Sequence, residues 1–145
     1  MEAGKFDRLL IACPPGHAKS WLCSHHAPAW IISRNRTFNL IGASHTQEFA
    51  DGWGRKVRNL VNSPEHARVF PGMAVQDDSR AAGRWAITDG AEYYAAGVDA
   101  TVTGKRANWV IIDDPFKSMA EAENQTQRDQ VEDAANLCDA EELVR

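Results

Sequence analysis

Leu9-Leu10-Ile11-Ala12-Cys13-Pro14-Pro15-Gly16-His17-Ala18-Lys19-Ser20 decides how the rest of this chain is read. Its first five residues are a short apolar run, which predicts a buried strand. Proline and glycine then turn the chain, and Lys19-Ser20 opens a helix-forming segment. Strand, turn, Lys-Ser and helix in that order predict a phosphate-binding loop. Backbone N–H groups line such a loop, the lysine supplies charge, the hydroxyl reaches Mg²⁺, and the helix N-terminus adds a partial positive field. Further along, Trp109-Val110-Ile111-Ile112-Asp113-Asp114-Pro115 is a second apolar strand ending in two carboxylates. A strand-end acid and a P-loop together are the minimum equipment for holding MgATP.

The loop departs from the usual Gly-x-x-x-x-Gly-Lys-Ser/Thr pattern at both glycines, where Cys13 and Ala18 stand. Alanine before the lysine fits if its φ is negative and is strained otherwise; Gly16 is placed to supply the missing freedom. The plainer alternative is a Pro-Pro-Gly turn before an ordinary helix, with Ser20 as a cap.

The chain resembles the N-terminal ATPase domain of the large terminase subunit of tailed bacteriophages, the motor that packages DNA into proheads. The resemblance rests on Pro14-Pro15-Gly16-His17-Ala18-Lys19-Ser20, Pro28-Ala29-Trp30, Arg55-Lys56-Val57-Arg58-Asn59-Leu60, Ser63-Pro64-Glu65, Phe70-Pro71-Gly72, Ala82-Gly83-Arg84-Trp85, Tyr93-Tyr94-Ala95-Ala96-Gly97-Val98, Thr103-Gly104 and Ile111-Ile112-Asp113-Asp114-Pro115. It runs from about residue 8 to about residue 128, in the family's order. Family members often carry Arg where Gly16 stands and Gly where Ala18 stands, so a candidate cation is missing and the loop geometry is in question. The resemblance implies a viral DNA-packaging hydrolase with Walker A and Walker B motifs, encoded by a phage or prophage and working in the bacterial host cytoplasm. It implies ATP and Mg²⁺ as cofactors. The implied partners are double-stranded phage DNA, the terminase small subunit, the portal protein and further copies in a homo-oligomeric ring, with no membrane. A complete large subunit continues into more sheet, a coupling motif and an RNase H-like nuclease. This chain is therefore expected to be a truncated product or remnant of the motor's first part.

The composition fits a single domain or a piece of one. A chain of 145 residues with 43% hydrophobic content is long and apolar enough for a core, which argues against wholesale disorder. A net charge of -4 gives no global basic footprint for nucleic acid, although a motor can grip DNA through a local surface. Cys13, Cys23 and Cys138 lack paired metal spacing, which suits a reduced compartment; His25-His26 has no partner at metal spacing. There is no signal-like N-terminus and no apolar stretch of membrane-spanning length.

The expected fold is α/β: a P-loop NTPase (RecA/ASCE-like) parallel sheet flanked by helices, incomplete on its C-terminal side. Residues 1–120 make the partial ATPase domain, and 121–145 an acidic, helical tail. The first helix is expected over 19–33, kinked or restarted at Pro28. Phe38-Asn39-Leu40-Ile41-Gly42-Ala43 predicts a strand, and Ser44-His45-Thr46-Gln47 a capping box. Phe49, Trp53, Val57, Leu60 and Val61 fall on one helical face, with Gly52 and Gly54 each weakening that helix by ~1 kcal/mol. Asn62-Ser63-Pro64 ends it and starts a short helix under a Ser63 cap. Residues 73–81 read as surface loop. Trp85-Ala86-Ile87 and Tyr93-Tyr94-Ala95-Ala96 flank Asp89-Gly90 as a hairpin. Residues 97–107 read as a mobile connection, 109–112 as a strand, and a helix follows from about 120. Val131, Ala134, Ala135 and Cys138 offer a thin apolar stripe on the tail, which otherwise reads as solvated.

Each candidate residue has an expected role. Pro15, Gly16, His17, Ala18, Lys19 and Ser20 make up the ATP-binding loop. Lys19 bridges the β- and γ-phosphates and neutralises charge on the transferred phosphoryl group. Ser20 and Asp113 hold Mg²⁺. Asp114 takes the place of the glutamate that orients the attacking water in many such ATPases; its alternative is a turn opener before Pro115. Arg84 and Arg106 are the candidate arginines for the transition state, in this or a neighbouring subunit, or else surface ion-pairing residues. Ser44 and Thr46 end the second strand, where they either reach the γ-phosphate side or serve as caps. Two other readings stand beside the motor: a helicase-like RecA-fold fragment, and a non-catalytic remnant that binds nucleotide or a partner without turnover. An uncovered sheet edge would make the isolated chain marginally soluble or associating.

Overall fold

The computed structural model describes residues 8–98 and 107–136. A π-helical segment, Trp21–His26, runs into α1 (Ala27–Arg34). Then come β1 (Leu40–Ser44), α2 (Gln47–Val61), α3 (Pro64–Val69), β2 (Val75–Arg80), β3 (Arg84–Ile87) and β4 (Glu92–Gly97). β5 (Trp109–Ile112), α4 (Met119–Glu123) and α5 (Gln125–Ala135) follow. The π segment answers the problem posed by Pro28. Proline offers no N–H and collides with the carbonyl four residues back, so the turn before it widens and Ala27 N–H bonds Leu22 O instead.

The strands form a five-stranded sheet in the order β2-β3-β4-β1-β5. β1 runs parallel to both β4 and β5, whereas β2-β3 and β3-β4 pair antiparallel. The sheet is therefore mixed and not the parallel one expected. β3 and β4 form the expected hairpin, with Gly90 at a left-handed φ of 106° in its turn. The polar stretch expected as surface loop contains edge strand β2. Leu9-Leu10-Ile11-Ala12-Cys13 is the larger correction: it makes no strand, and Leu9, Leu10 and Ile11 are 65%, 92% and 44% exposed.

Alternation along the strands splits the core in two. Leu40, Tyr93 and Trp85 face the helices α1 and α2 with Ile32, Val57 and Val61. Ile41, Ala43 and Ala96 face the other way and meet Val131 and Ala134 of α5. The thin stripe on the acidic tail thus covers the second face through Ala134, which is 6% exposed; Cys138 lies outside the described residues. None of the helices among the described residues is long and apolar enough to cross a membrane.

α2 differs from expectation at both its start and its face. Its N-cap is Thr46, whose hydroxyl accepts from Phe49 N–H, and not Ser44. Gln47 instead reaches β4, donating to Ala95 O at 3.1 Å and accepting from Gly97 N–H at 3.1 Å. The buried face is Ala50, Gly54, Val57 and Val61, while Phe49 stands 44% exposed. Gly54 lies on this face because a Cβ there would come within 2.4 Å of Ala82 O, a backbone atom that cannot step aside. A Cβ on Gly52 would meet nothing within 4 Å. The two glycines should therefore respond oppositely to alanine. Gly52→Ala is expected to stabilise by up to ~1 kcal/mol through helix propensity. Gly54→Ala should destabilise despite the same propensity gain, and urea midpoints of the pair decide it.

Candidate functional site

The parallel strands β4, β1 and β5 end together, and the candidate residues gather beyond the ends of β1 and β5. Asp113 follows β5 directly and its N–H bonds Ala43 O at 3.0 Å, continuing the ladder past the strand. Ser44 closes β1; its hydroxyl is buried and donates to Asp113 O at 2.8 Å. Ser44 therefore ties the two strand ends together and does not cap α2. His45 adds a second tie, its Nδ1 lying 3.0 Å from Asp114 O, so that Nδ1 carries the proton.

The 13–20 loop folds back over these acids. Lys19 Nζ lies 2.8 Å from Asp114 Oδ1 and 3.3 Å from Asp113 Oδ1. The hydrogen bond to Asp114 is the main influence raising the Lys19 ammonium above its usual range; partial burial opposes it and the Asp113 charge adds to it. Asp113 is only 4% exposed. Its other oxygen, Oδ2, accepts from Ser24 Oγ at 2.8 Å. Burial, followed by the neighbouring Asp113 charge, pushes the Cys23 thiol up. A cavity of about 360 Å³ opens at the loop, lined by residues 13–21 and Asp114.

The loop carries backbone strain. Gly16 has φ 78° and Ala18 φ 58°, so the alanine occupies the left-handed conformation that favours glycine. Asp114 has φ 46°, a conformation aspartate tolerates better than most residues. His17 turns its ring back onto Pro15 O, 3.0 Å from Nδ1. An ordinary exposed Ala→Gly change costs ~0.5–1 kcal/mol through unfolded-chain entropy. At Ala18 the relief of left-handed strain, roughly 1–2 kcal/mol, offsets that cost. Ala18→Gly should leave the urea midpoint equal or raised, and a midpoint lowered by the ordinary amount would refute a left-handed Ala18.

Not every predicted residue joins the cluster. Ser20 lies in the first helical turn and lines the loop cavity, but it is Ser24, a turn further on, whose hydroxyl meets Asp113. Arg84 stays on β3, ion-paired with Glu92 at 3.1 Å and stacked over Tyr94 at 5.2 Å. The bond to Glu92 raises its guanidinium further above its usual range. Arg106 and Thr103-Gly104 lie outside the described residues. Ser24 and His45 are the contributors missed in the sequence. Ser24 had one available signal, since it lies four residues after Ser20 and shares its helical side.

Among the described residues no group of three or more His, Cys, Asp or Glu is placed to hold a metal ion. Mg²⁺ at a nucleotide site does not need one, because it takes one or two protein oxygens and completes its shell with phosphates and water. Asp113 has one oxygen anchored by Ser24 and the other 3.3 Å from Lys19 Nζ, so it would offer Mg²⁺ an oxygen only once Lys19 moves away. Comparison with family models, with curated proteins and with solved structures finds no match for this chain.

Proposed function

We propose that this chain is the nucleotide-binding part of a P-loop ATPase of the phage terminase large-subunit type, binding MgATP at the 13–20 loop. The observation carrying this reading is the contact of Lys19 with both Asp113 and Asp114 across 95 residues of chain to the latter. The sequence pattern requires the loop lysine and the strand-end acids to share one site, and this contact is what supports the reading.

Within this reading Lys19 leaves its carboxylate partners for the β- and γ-phosphates, which offer more charge. Backbone N–H groups of Gly16, His17 and Ala18, with Pro15 shaping the turn, cradle the phosphates. Ser20 and Asp113 would hold Mg²⁺, which would supply charge neutralisation for the phosphates. Asp114, freed from Lys19, accepts a proton from or orients the attacking water. Partners follow the resemblance alone: double-stranded DNA, a small subunit, a portal and neighbouring copies in a ring, in a bacterial cytoplasm.

Binding without turnover is a second reading, favoured by the engagement of Arg84 with Glu92 and Tyr94, away from the loop. Calorimetric titration with MgATP tests the first reading, with saturable binding expected. Phosphate release on the same sample separates turnover from simple binding. A folded chain that takes up no MgATP would remove both.

A further inference from the structure

A second surface adjoins the loop and shares Trp21 with it. Trp53 is its hub: the Trp21 ring centroid is 6.1 Å away and that of Phe49 6.4 Å away. Trp21 is backed by the stacked His25 ring at 4.2 Å, and Phe49 by His45 at 4.8 Å. The two outer rings nonetheless remain 49% and 44% exposed. Lys56 Nζ sits 3.9 Å over the Trp53 ring. A cavity of about 510 Å³ opens here, with Phe49, Trp53, Lys56 and Lys117 in its walls.

These features exceed what packing requires. A helix normally turns its large aromatic rings inward, yet α2 gives its buried face to Ala50, Gly54, Val57 and Val61 and leaves Phe49 outside. Trp21 and Phe49, each packed on a histidine ring and about half exposed, can serve as stacking platforms, while Lys56 covers the Trp53 ring and stands 5.7 Å from that of Trp21. Cations beside them suit a ligand with flat rings and negative linkers. Glu48 is the lone acid in the wall, in the first turn of α2, where it complements the helix dipole. Lys56 and Lys117 outweigh it.

We propose that Trp21 and Phe49, both packed on Trp53 in the ring cluster, bind single-stranded nucleic acid with Lys56 and Lys117, stacking unpaired bases on the two exposed rings and pairing phosphates with the lysines. Stacking on aromatic faces tolerates any base, and the lysines follow the backbone. A duplex hides its base faces and can use only the lysines. The surface adjoins the loop cavity, which Trp21 also lines, while Phe49, Trp53, Lys56 and Lys117 lie outside that cavity; its occupation needs no ATP.

The test is fluorescence anisotropy of a fluorescein-labelled oligothymidylate at low salt, without nucleotide triphosphate, on the full chain. Saturable binding with quenching of tryptophan emission is expected. Trp21→Ala and Phe49→Ala should each weaken it at least about tenfold, because each removes one stacking platform. Trp21→Phe should restore most of the affinity. Lys117→Ala should weaken binding and flatten its salt dependence. Both aromatic side chains are exposed, and thermal melts establish that the variants fold. Equal binding of a duplex, or unchanged binding by both alanine variants, would overturn the proposal. So would no binding by a cooperatively folded chain. Sedimentation showing that Phe49→Ala dissolves a dimer, with no oligonucleotide bound, would identify the surface as a protein interface and overturn it too.

Discussion

Lys19→Ala is expected to abolish MgATP binding, weakening it by at least about 100-fold, while the chain stays folded. The size follows from the interactions lost. Under the proposed function the lysine would make charge-assisted hydrogen bonds to phosphate oxygens, each contributing roughly 1.5–3 kcal/mol where water is excluded. Folding should survive because the Lys19 side chain is 31% exposed and Asp114 54% exposed, and such solvent-facing pairs contribute little. Asp113 is the more delicate partner, with a side chain only 5% exposed. It keeps the Ser24 hydrogen bond at Oδ2 when the ammonium is gone, but Oδ1 loses the Lys19 contact, so a lowered melting temperature is expected without loss of the fold. Lys19→Arg is an informative companion. It preserves the charge but replaces a compact ammonium with a planar fork, which suits the confined approach to two carboxylates and a phosphate less well. Calorimetry on the three proteins, with circular dichroism melts alongside, checks the expectation. Full MgATP affinity in a folded Lys19→Ala would place the nucleotide elsewhere and end the P-loop reading.

What could be read from the sequence was local or periodic. The hairpin around Asp89-Gly90 shows in two short hydrophobic runs flanking a glycine that adopts a positive φ. β5 shows as an apolar run, and α3 as Ser63 before Pro64, with the Ser63 hydroxyl accepting from His66 N–H. The convergence of Lys19 with Asp113 and Asp114 was also expected, but only half of its premise holds: the acids follow β5, whereas no strand precedes the loop among the described residues.

Misreadings arose wherever a partner distant in sequence decides the outcome. Leu9-Leu10-Ile11 has strand composition, but composition does not supply a neighbouring strand, and in this structure the run stays exposed. β2 hid for the opposite reason. An edge strand reading Val-Gln-Asp-Asp-Ser-Arg buries only its first residue, so it leaves no apolar alternation to detect. Helix propensity described Gly54 as a weakness, whereas the carbonyl of Ala82 makes it a requirement. The Ser24 hydroxyl points at a carboxylate 89 residues away, which no local pattern encodes. Such contacts belong to tertiary packing, and one-dimensional signals are blind to them.

Trp85→Ala should have the largest effect on stability, about 3–5 kcal/mol. Trp85 is fully buried on β3 and stacks on Tyr93 of the neighbouring strand, with ring centroids 5.1 Å apart and planes 7° apart. Its indole N–H donates to Gly54 O at 3.1 Å, which pins the sheet to α2 at the place where the glycine permits close approach. Alanine removes three things together: the apolar area, the partner of the Tyr93 ring, and the donor for a helix carbonyl. The large cavity left behind cannot close, because Gly54 and Ala82 already touch through backbone. A domain of this size has only roughly 5–15 kcal/mol of stability in total, so much of it should disappear. Trp85→Phe separates the contributions. It keeps a ring against Tyr93 and loses the hydrogen bond, and should cost about 1–3 kcal/mol for the unsatisfied carbonyl plus a smaller void. Urea unfolding followed by circular dichroism, which does not depend on the removed tryptophan, measures both variants. If Trp85→Ala unfolds at the wild-type midpoint, then β3 is not held against α2 as described.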